Sequence, residues 1–290
     1  MYPAIEIIKS KSNLGYSGGC NLGAKHANGN LLLFLNNDTT HKEGWIEYLY
    51  EQISTDESIA SIQPKILNHF NKESFDYAGG SGGFIDSFVF PYTRGRVFNY
   101  IEKDEDQYDD RKEIFWSSGC AFMIRKEIFF KLGMFDEKLF AHMEEIDLHW
   151  KILLNGYKNQ VEPKSIIYHK GAQTLNYNSF MKVYLNHRNS MILFITNHNP
   201  IVMISLLIPK LLLEIISIIR YLFLGKIQSS FAQIYALLWI LVHPIYLINR
   251  FIKINQIKKY PLYSILKKMY KGSIVFSYYL LGKKKYSDIN

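Results

Sequence analysis

Short apolar runs alternate with helical stretches and with turns rich in glycine or asparagine over about the first 198 residues. This alternation is typical of an α/β domain. Leu31–Leu35 is a continuous apolar run of strand length between polar turns, which predicts a central parallel strand buried on both faces. Residues 4–8 predict a short buried strand that leads directly into a glycine-rich turn. Residues 1–198 are therefore predicted to form one α/β domain.

The chain from residue 199 to residue 249 is strongly apolar and is interrupted by three prolines. Four polar residues between positions 210 and 224 fall on one narrow helical stripe: Lys210, Glu214, Ser217 and Arg220. The rest of this helix is a wide apolar face, which favours an interface. Residues 227–249 carry no charge and come close to the roughly 20 residues that cross a bilayer, but several polar side chains and Pro244 weaken that interpretation. We expect these helices to lie in a membrane surface; a membrane-spanning helix, a soluble helical subdomain and a dimer interface are the alternatives.

The positive charge is concentrated at one end of the chain. The net charge is +8, yet residues 250–290 alone hold ten of the 34 lysines and arginines and only one acid, Asp288. That segment carries +9, which leaves about −1 for the preceding part of the chain. A basic end that follows an apolar region suits an anionic membrane surface better than a nucleic acid, and a merely solvated basic face is the third interpretation. We therefore predict that residues 199–290 associate with a membrane and that no nucleic acid is bound.

Composition indicates a folded protein of a reducing compartment. Hydrophobic residues make up 48% of the chain and aromatic residues 15%, which excludes a disordered polymer. The first residues lack the basic and apolar segments of a signal peptide, so we do not expect secretion. Cys20 and Cys120 lie far apart and outside any metal-ligand spacing, so neither a disulfide framework nor a zinc site is expected.

An acid follows the apolar run of residues 31–35. Asn36 and Asn37 come directly after the run, and Asp38 is next. Ligands of open α/β sheets bind outside the carboxyl ends of the strands, so Asp38 is a candidate ligand for a metal or a substrate. An Asx turn or a helix cap ahead of residues 42–52 is the alternative.

A glycine-rich segment precedes this strand and is followed by a predicted helix. Residues 13–23 are Asn-Leu-Gly-Tyr-Ser-Gly-Gly-Cys-Asn-Leu-Gly, and glycines allow a ligand to approach the backbone closely. Together with Asp38, this segment resembles a motif pair of the family 2 glycosyltransferases, in which a glycine-rich loop is followed by a strand that ends in a D-x-D-like acid. Here Asn36 replaces the first acid and only Asp38 remains, as is common in the bacterial rhamnosyltransferase-like branch that the sequence most resembles.

Two further segments carry the same resemblance. Residues 116–125 are similar to a family strand, and residues 129–150 are similar to a segment in which a pair of acids opens a helix. The resemblance implies that Glu145 is the catalytic base and that Glu144 and Asp147 are supporting acids. It leaves open which of Glu144 and Glu145 meets the acceptor hydroxyl. Acids also suit the positive end of a helix dipole, which is the structural explanation for this cluster.

The resemblance implies the other site residues as well. His169 matches a histidine that completes the metal site, so Asp38 and His169 are the expected ligands of Mg²⁺ or Mn²⁺. Arg188 is expected to hold a diphosphate oxygen through a bidentate contact. The expected nucleotide-sugar site consists of Asn13, Gly15, Gly18, Asn21, Asn36 and Arg188. A packed structural histidine and an arginine on a helix surface are the alternatives.

The residue types fit one reaction. A divalent metal neutralises the charge that develops on a departing diphosphate, and a carboxylate deprotonates the attacking hydroxyl. The resemblance implies inversion of the anomeric carbon by a single displacement. The expected reaction moves a sugar, with rhamnose as one candidate, from a nucleoside diphosphate to a cell-surface polysaccharide or lipid-linked acceptor.

The resemblance covers residues 4–198 only, whereas full-length relatives begin with a strand and helix that grip the nucleotide base. We therefore expect a GT-A domain, Rossmann-like with a mostly parallel sheet, that lacks its first strands and is poorly soluble and weakly active alone. The expected location is the cytoplasmic face of the bacterial inner membrane, with peripheral attachment. The alternative function is that of a truncated non-catalytic remnant or partner subunit that binds no donor. The oligomeric state is left open.

Overall fold

The structure of the protein is a computed structural model that describes residues 5–171 and 179–289. Its helices are α1 (Gly15–His26), α2 (Trp45–Thr55), α3 (Lys126–Lys131), α4 (Glu144–Leu154), α5 (Phe180–Asn197), α6 (Pro200–Phe223), α7 (Ile227–Val242), α8 (Pro244–Ile257) and α9 (Ile274–Tyr279). Its strands are β1 (Leu31–Leu35), β2 (Thr39–His41), β3 (Ile59–Asn68), β4 (Gly83–Ile85), β5 (Pro91–Thr93), β6 (Arg96–Val97), β7 (Tyr100–Ile101), β8 (Lys112–Ile114), β9 (Ala121–Arg125) and β10 (Lys158–His169). Short 3₁₀ helices lie at Glu137–Leu139, Leu262–Lys268 and Tyr286–Asp288.

A mixed sheet forms the centre of the domain, with the strand order β1–β9–β3–β10–β2 and with β8 beside β10. Among the described pairs of neighbouring strands in this sheet, only β3 and β10 are parallel, and the other four pairs are antiparallel. The α/β class is therefore confirmed, but the expectation of a mostly parallel sheet is wrong. β9 is the main reason, because it lies between β1 and β3 and runs antiparallel to both.

β1 lies at the edge of this sheet within the described part of the chain. Leu32 and Phe34 are buried, whereas Leu31 and Leu33 are half-buried and Leu35 is exposed. The predicted strand is present, but its central and parallel placement is wrong, because β1 lies at the sheet edge and pairs antiparallel with β9. Successive side chains of a strand point to opposite faces; Leu32 and Phe34 belong to one buried cluster, whereas Leu31 and Leu33 are only partly buried against another.

Residues 5–8 form no strand, contrary to the prediction. Ile5 and Ile7 are exposed, and none of the described strands pairs with this segment. An apolar run becomes a strand only where a neighbouring strand accepts and donates its backbone hydrogen bonds. Residue 4 of the predicted strand lies outside the described residues.

Helix α1 begins inside the glycine-rich segment, and not after it as predicted. Gly15 is the first helical residue and has a φ of +67°, and a Cβ atom there would lie 2.4 Å from the carbonyl oxygen of Phe140. The side chain of Asn13 accepts a hydrogen bond from the Gly15 N–H at 2.9 Å, in an Asx turn. The glycine at position 15 therefore lets the start of α1 approach the segment that precedes α4.

The basic C-terminal segment folds back onto a second, antiparallel sheet with the order β4–β5–β6–β7. The Tyr270 N–H donates to the carbonyl of Ile85 at 3.0 Å, and the Ile274 N–H donates to the carboxylate of Asp86 at 2.8 Å. Tyr286 is buried in the hydrophobic cluster of this sheet. The described end of the chain is therefore part of the fold and not a free tail.

A single hydrophobic cluster contains residues from both sides of the predicted boundary at residue 198. Trp150 and Phe194 precede the boundary, and Leu247 and Ile265 follow it. Helix α4 contacts both β10 and the 3₁₀ helix of residues 262–268. The C-terminal helices thus share a core with the layer that carries the candidate acids.

Helix α6 turns Lys210 and Glu214 inward and many of its apolar residues outward, whereas Arg220 of the predicted polar stripe is exposed. Lys210 and Glu214 are buried and form an ion pair at 2.9 Å. His187 of α5 contacts the carboxylate of Glu214 at 2.6 Å. On the opposite face, Ile201 is 79% exposed and Phe223 is 87% exposed. The predicted helix with a narrow polar stripe and a wide apolar face is present, and its orientation is the reverse of a surface helix in a soluble protein.

Among the described helices, α6 is the one that is long and apolar enough to cross a membrane by itself. Helices α7 and α8 meet these criteria only as a pair, and they are bent by 75° at the break between them. The break falls at His243, directly before Pro244, as the sequence indicated.

Candidate functional site

Asp38 and His169 meet at one end of the central sheet. Asp38 ends the turn after β1, and His169 is the last residue of β10. β2 follows Asp38 at once and pairs with β10, with Thr39 opposite His169, and the Lys170 N–H donates to the Asp38 carbonyl at 2.9 Å. His169 Nε2 lies 3.2 Å from Asp38 Oδ1, and both side chains are largely buried. The two predicted metal ligands are thus adjacent.

Asp76 lies on the other side of the His169 ring. It was not among the residues predicted from the sequence. Its Oδ1 lies 2.9 Å from His169 Nδ1 and also accepts the Ala78 N–H at 2.7 Å. Because an ionised carboxylate only accepts hydrogen bonds, Nδ1 carries the proton and Nε2 faces Asp38. Burial lowers the pKa of His169, but the hydrogen bond and charge of Asp76, with the charge of Asp38, outweigh it and raise the pKa.

These donors fit a divalent cation. Asp38 Oδ1 is buried, and its one close polar contact among the described residues is with His169 Nε2 at 3.2 Å. A buried carboxylate oxygen and an imidazole nitrogen that point toward each other are suitable ligands for Mn²⁺, and the oxygen is suitable for Mg²⁺. The carboxylate of Asp76 behind the histidine is the usual support of a metal-binding imidazole.

A second group of acids is a poorer cation site. Carboxylate oxygens of Asp104, Asp106 and Asp109 lie within 4.8 Å of one another. However, the ammonium group of Lys65 forms salt bridges with both Asp104 and Asp109. The lysine already neutralises part of this charge, and Asp106 is exposed.

Glu144 and Glu145 open helix α4, as predicted. The chain enters this helix through Phe140, His142 and Met143, whose φ angles lie between +65° and +70°, a strained range for residues with side chains. Each glutamate has one buried carboxylate oxygen without a hydrogen-bond partner among the described residues. The helix N-terminus favours negative charge at these positions, but the surroundings leave that charge poorly solvated.

Burial raises the pKa of Glu144 well above its usual 4.5, and the neighbouring Glu145 raises it further. Burial also raises the pKa of Glu145, although backbone hydrogen bonds and Glu144 oppose the shift. Two adjacent buried carboxyl groups resist double ionisation, so one of them holds a proton more readily than an ordinary glutamate does. This arrangement suits a general base that works near neutral pH.

Tyr16 connects the two glutamates with the start of β9. Its hydroxyl donates to the Gly119 carbonyl at 2.7 Å. Burial raises the pKa of Tyr16, and the charges of Cys20, Glu144 and Glu145 add to the shift. The side chain of Tyr16 therefore lies in the electrostatic field of the glutamate pair.

Cys120 connects the same turn with the Asp38 side of the site. Its carbonyl accepts the Asn36 N–H at 2.9 Å. Burial raises the pKa of the Cys120 thiol, followed by the charges of Asp76 and Asp38. Both groups of acids are thus linked to residues 118–120, the glutamate pair through Tyr16 and the Asp38–His169 pair through Cys120 and Asn36.

Arg188 and Asn189 hold the segment that leads into α4. The Asn189 side chain donates to the carbonyls of Leu139, Ala141 and His142 at 2.7–3.0 Å. The Arg188 guanidinium donates to the carbonyls of Lys138 and Leu139 at 2.8 and 3.1 Å. Arg188 was predicted to hold a diphosphate, and the structure gives it these backbone partners within the protein.

Asp147 is engaged on the other side of α4. It is fully buried, forms salt bridges with Arg250 of α8 and with Lys151, and accepts a hydrogen bond from Asn197 at 2.9 Å. Burial alone would raise the pKa of Asp147, but Arg250 and then Lys151 hold it well below its usual range. The predicted supporting acid is therefore an anchor between α4 and the C-terminal helices in this structure.

The remaining predicted donor-site residues lie around the start of α1 and the end of β1. Asn21 is buried and forms two hydrogen bonds with the Phe135 backbone, which fix α1 to the segment before α4. A Cβ atom at Gly18 would lie 2.8 Å from that of Leu14. The Asn36 carbonyl accepts the Thr39 hydroxyl at 2.9 Å, and so shapes the turn that carries Asp38.

The chain is similar to several known proteins. Residues 1–133 match the family model described as glycosyl transferase family 2. A putative polypeptide N-acetylgalactosaminyltransferase 13 of Drosophila melanogaster is 28% identical over 170 residues, which cover 57% of this chain and 29% of that protein. The low-salt glycan biosynthesis hexosyltransferase Agl10 of Haloferax volcanii is 27% identical over 192 residues, or 64% of this chain and 58% of that protein.

Two further proteins extend the comparison. An N-acetylglucosaminyl-diphospho-decaprenol L-rhamnosyltransferase of Mycobacterium tuberculosis is 19% identical over 212 residues, which cover 68% of this chain and 69% of that protein. The crystal structure of GalNAc-T7 with UDP, GalNAc and Mn²⁺ superposes with a TM-score of 0.50 at 20% identity, covering 65% of this chain and 36% of that one. The chain thus spans between about a quarter and three fifths of the length of the first three curated relatives.

Proposed function

Because the chain is a family 2 glycosyltransferase with a GT-A fold, we propose that it moves a sugar from a nucleoside diphosphate to an acceptor hydroxyl with inversion of the anomeric carbon. The observation that carries the proposal is the pairing of Asp38 with His169 at the end of the central sheet, together with the buried glutamate pair at the start of α4. Asp38 and His169 suit the binding of a metal-bound diphosphate, and the glutamate pair suits the deprotonation of the attacking hydroxyl.

One glutamate of the pair takes the proton. As the acceptor oxygen forms its bond to the anomeric carbon, the proton of that hydroxyl passes to a carboxylate oxygen of Glu145, or of Glu144, and the bond between the sugar and the diphosphate breaks. The raised pKa values of both carboxyls favour this transfer, because a more basic carboxylate takes the proton more readily. Attack from the face opposite the diphosphate inverts the configuration.

Asp38 and His169 are the residues that would hold Mg²⁺ or Mn²⁺. A divalent ion bound there supplies positive charge that stabilises the departing diphosphate. Asp76 keeps the Nδ1 proton of His169 in place, so that Nε2 is free to act as a ligand. The Asn189 side chain donates a hydrogen bond to the His142 carbonyl and so stabilises the strained backbone of residues 140–143. This contact keeps the glutamates in position at the start of α4.

Replacing Asp76 by asparagine is expected to weaken Mn²⁺ binding by about 10–100-fold, because the amide removes the charge that supports the His169 ring. The amide oxygen still accepts the Ala78 N–H, so the loop keeps its shape. Mn²⁺ affinity is measured by titration and electron paramagnetic resonance. Unchanged affinity would show that Asp76 only shapes the loop; Asp106→Asn, in the second acidic group, is the matched control.

We propose a deoxyhexose such as rhamnose as the donor sugar, and a cell-surface polysaccharide or lipid-linked glycan as the acceptor. One of the relatives is named a rhamnosyltransferase that acts on a diphospho-decaprenol-linked sugar, and another is named a glycan biosynthesis hexosyltransferase. The test is a panel of UDP-, GDP- and dTDP-sugars incubated with the purified chain in mild detergent, with release of the nucleoside diphosphate as the readout. Metal-dependent release from one donor supports the proposal, and no binding of any donor would favour a non-catalytic partner subunit.

The proposed location is the cytoplasmic face of a bacterial inner membrane, with the apolar face of α6 in the lipid. Two observations support this placement: Lys210 and Glu214 form an ion pair on the inner side of α6, and Ile201, Ile208 and Phe223 are exposed on its outer side. Apolar side chains at such exposure are costly in water, and a lipid interface covers them. The basic residues of the C-terminal segment supply the charge that an anionic membrane attracts.

A further inference from the structure

A groove runs along one side of α6, between this helix and the C-terminal segment. It consists of two adjoining cavities of about 500 and 420 Å³ that share Lys271 and Gly272 in their walls. Helix α6 contributes residues at helical spacing to this wall: Val202, Ser205, Leu206, Pro209, Leu212 and Leu213. Because a helix rises about 1.5 Å per residue, this stripe is about 16 Å long.

The walls of the groove are mainly apolar. Phe88, Phe276 and Leu281 line the larger cavity opposite α6. The outward apolar face of α6, which includes Ile204 and Ile208, directly adjoins the stripe that lines the groove. An elongated, open and apolar groove beside such a face suits a hydrocarbon chain better than a polar ligand.

Two cations belong to the groove and are not neutralised by the protein. Lys267 lines the smaller cavity and Lys271 lines both, and both residues are exposed. Neither forms a salt bridge within residues 5–171 and 179–289, whereas the adjacent Lys268 pairs with Glu113. Unpaired lysines beside an apolar groove are complementary to a ligand with an anionic head and an apolar tail.

We propose that this groove binds one anionic lipid of the membrane, with a hydrocarbon chain along α6 and a phosphate headgroup at Lys267 and Lys271. The inference rests on the proposed membrane location of the α6 face. It adds a discrete site to that location, because the groove has a second wall, which includes Phe88, Phe276 and Leu281, in addition to α6. A lipid that occupies the groove links α6 to the C-terminal segment, and this segment packs on the sheet of β4 to β7.

The test compares lipid retention by wild-type protein and two variants. Protein is exchanged into nanodiscs of phosphatidylglycerol or of phosphatidylcholine, extracted into mild detergent and examined by native mass spectrometry. Wild-type protein is expected to retain about one phosphatidylglycerol molecule and much less phosphatidylcholine. The double variant Lys267→Glu with Lys271→Glu is expected to reduce this retention at least tenfold, while Lys253→Glu with Lys284→Glu, which changes the net charge equally outside the groove, keeps it.

A second variant separates the groove from the membrane face. Leu213→Trp fills the groove but keeps the helix apolar, so it is expected to lose the retained lipid and still sediment with phosphatidylglycerol vesicles. Retention by both variants at the wild-type level, equal retention of both lipids, or no retained lipid in wild-type protein would each overturn the proposal. Nucleotide binding is measured on the same samples. If the protein retains lipid but binds no nucleotide, the result counts against the proposed reaction alone. If the protein binds a nucleotide but retains no lipid, the result counts against the proposed lipid site alone.

Discussion

Replacing Glu145 by glutamine is expected to lower the rate of sugar transfer by about 10²–10⁴-fold while donor affinity changes little. Glutamine keeps the shape of the side chain but cannot accept the proton of the acceptor hydroxyl. Glu144→Gln is the companion variant, and the larger loss identifies the base. Transfer is measured under single-turnover conditions with saturating donor, so that the chemical step determines the rate.

Glu127→Gln is the matched control, because Glu127 is also in the first turn of a helix but is exposed. The rate of sugar transfer by wild-type protein is expected to rise with pH, because the base is active only when it is deprotonated. Since burial raises the pKa of Glu145, this rise is expected above pH 4.5. If both glutamine variants retain more than about a tenth of the wild-type rate, neither glutamate acts as a general base of the expected strength.

Replacing Arg250 by methionine is expected to lower the free energy of unfolding by about 3–5 kcal/mol. Arg250 forms salt bridges with Asp147 and with Asp136, and Asp147 is fully buried, so its charge would lose its strongest partner. Stability is measured by urea unfolding in mild detergent. Lys253→Met, one turn later on α8 and exposed, is expected to change it by less than about 0.5 kcal/mol.

A double variant tests whether the loss comes from the uncompensated charge. Asp147→Asn combined with Arg250→Met is expected to be less destabilised than the sum of the single variants, because the amide carries no charge to solvate. Simple additivity would indicate that Arg250 stabilises the protein through packing alone. The pair matters for the site because Asp147 lies on the same helix as the glutamate pair, two residues after Glu145.

The sequence predicted which residues belong together at Asp38 and His169, but not the contacts that surround them. Each of the two lies at the end of an apolar run and matches a family motif, and the register of β2 on β10 brings them together. Asp76 carries no comparable signal, since it lies in an irregular segment and contacts His169 across 93 positions. Asp147 was predicted to support the glutamates, whereas its partner Arg250 lies 103 positions away.

The strand predictions were incomplete for a related reason. Residues 31–35 form the predicted strand at the edge of the sheet and residues 5–8 form none, because an apolar run does not show which neighbours pair with it. A helix over residues 210–224 was predicted from its polar stripe, and the burial of Lys210 and Glu214 depends on His187 and Ser190 of α5. Local patterns therefore predicted the elements, while the direction that each element faces depended on distant residues.

The most direct test of the account is calorimetric titration of UDP, GDP and dTDP into the chain in mild detergent, with and without Mn²⁺. Wild-type protein and Asp38→Asn are compared, with Asp106→Asn as the matched control for the second acidic group. Wild-type protein is expected to bind one nucleotide only with Mn²⁺. Asp38→Asn is expected to abolish this binding, and Asp106→Asn is expected to leave it unchanged. Binding that is independent of Mn²⁺, that persists in Asp38→Asn, or that is absent for all three nucleotides would contradict the assignment of Asp38 and His169 as the metal-dependent donor site.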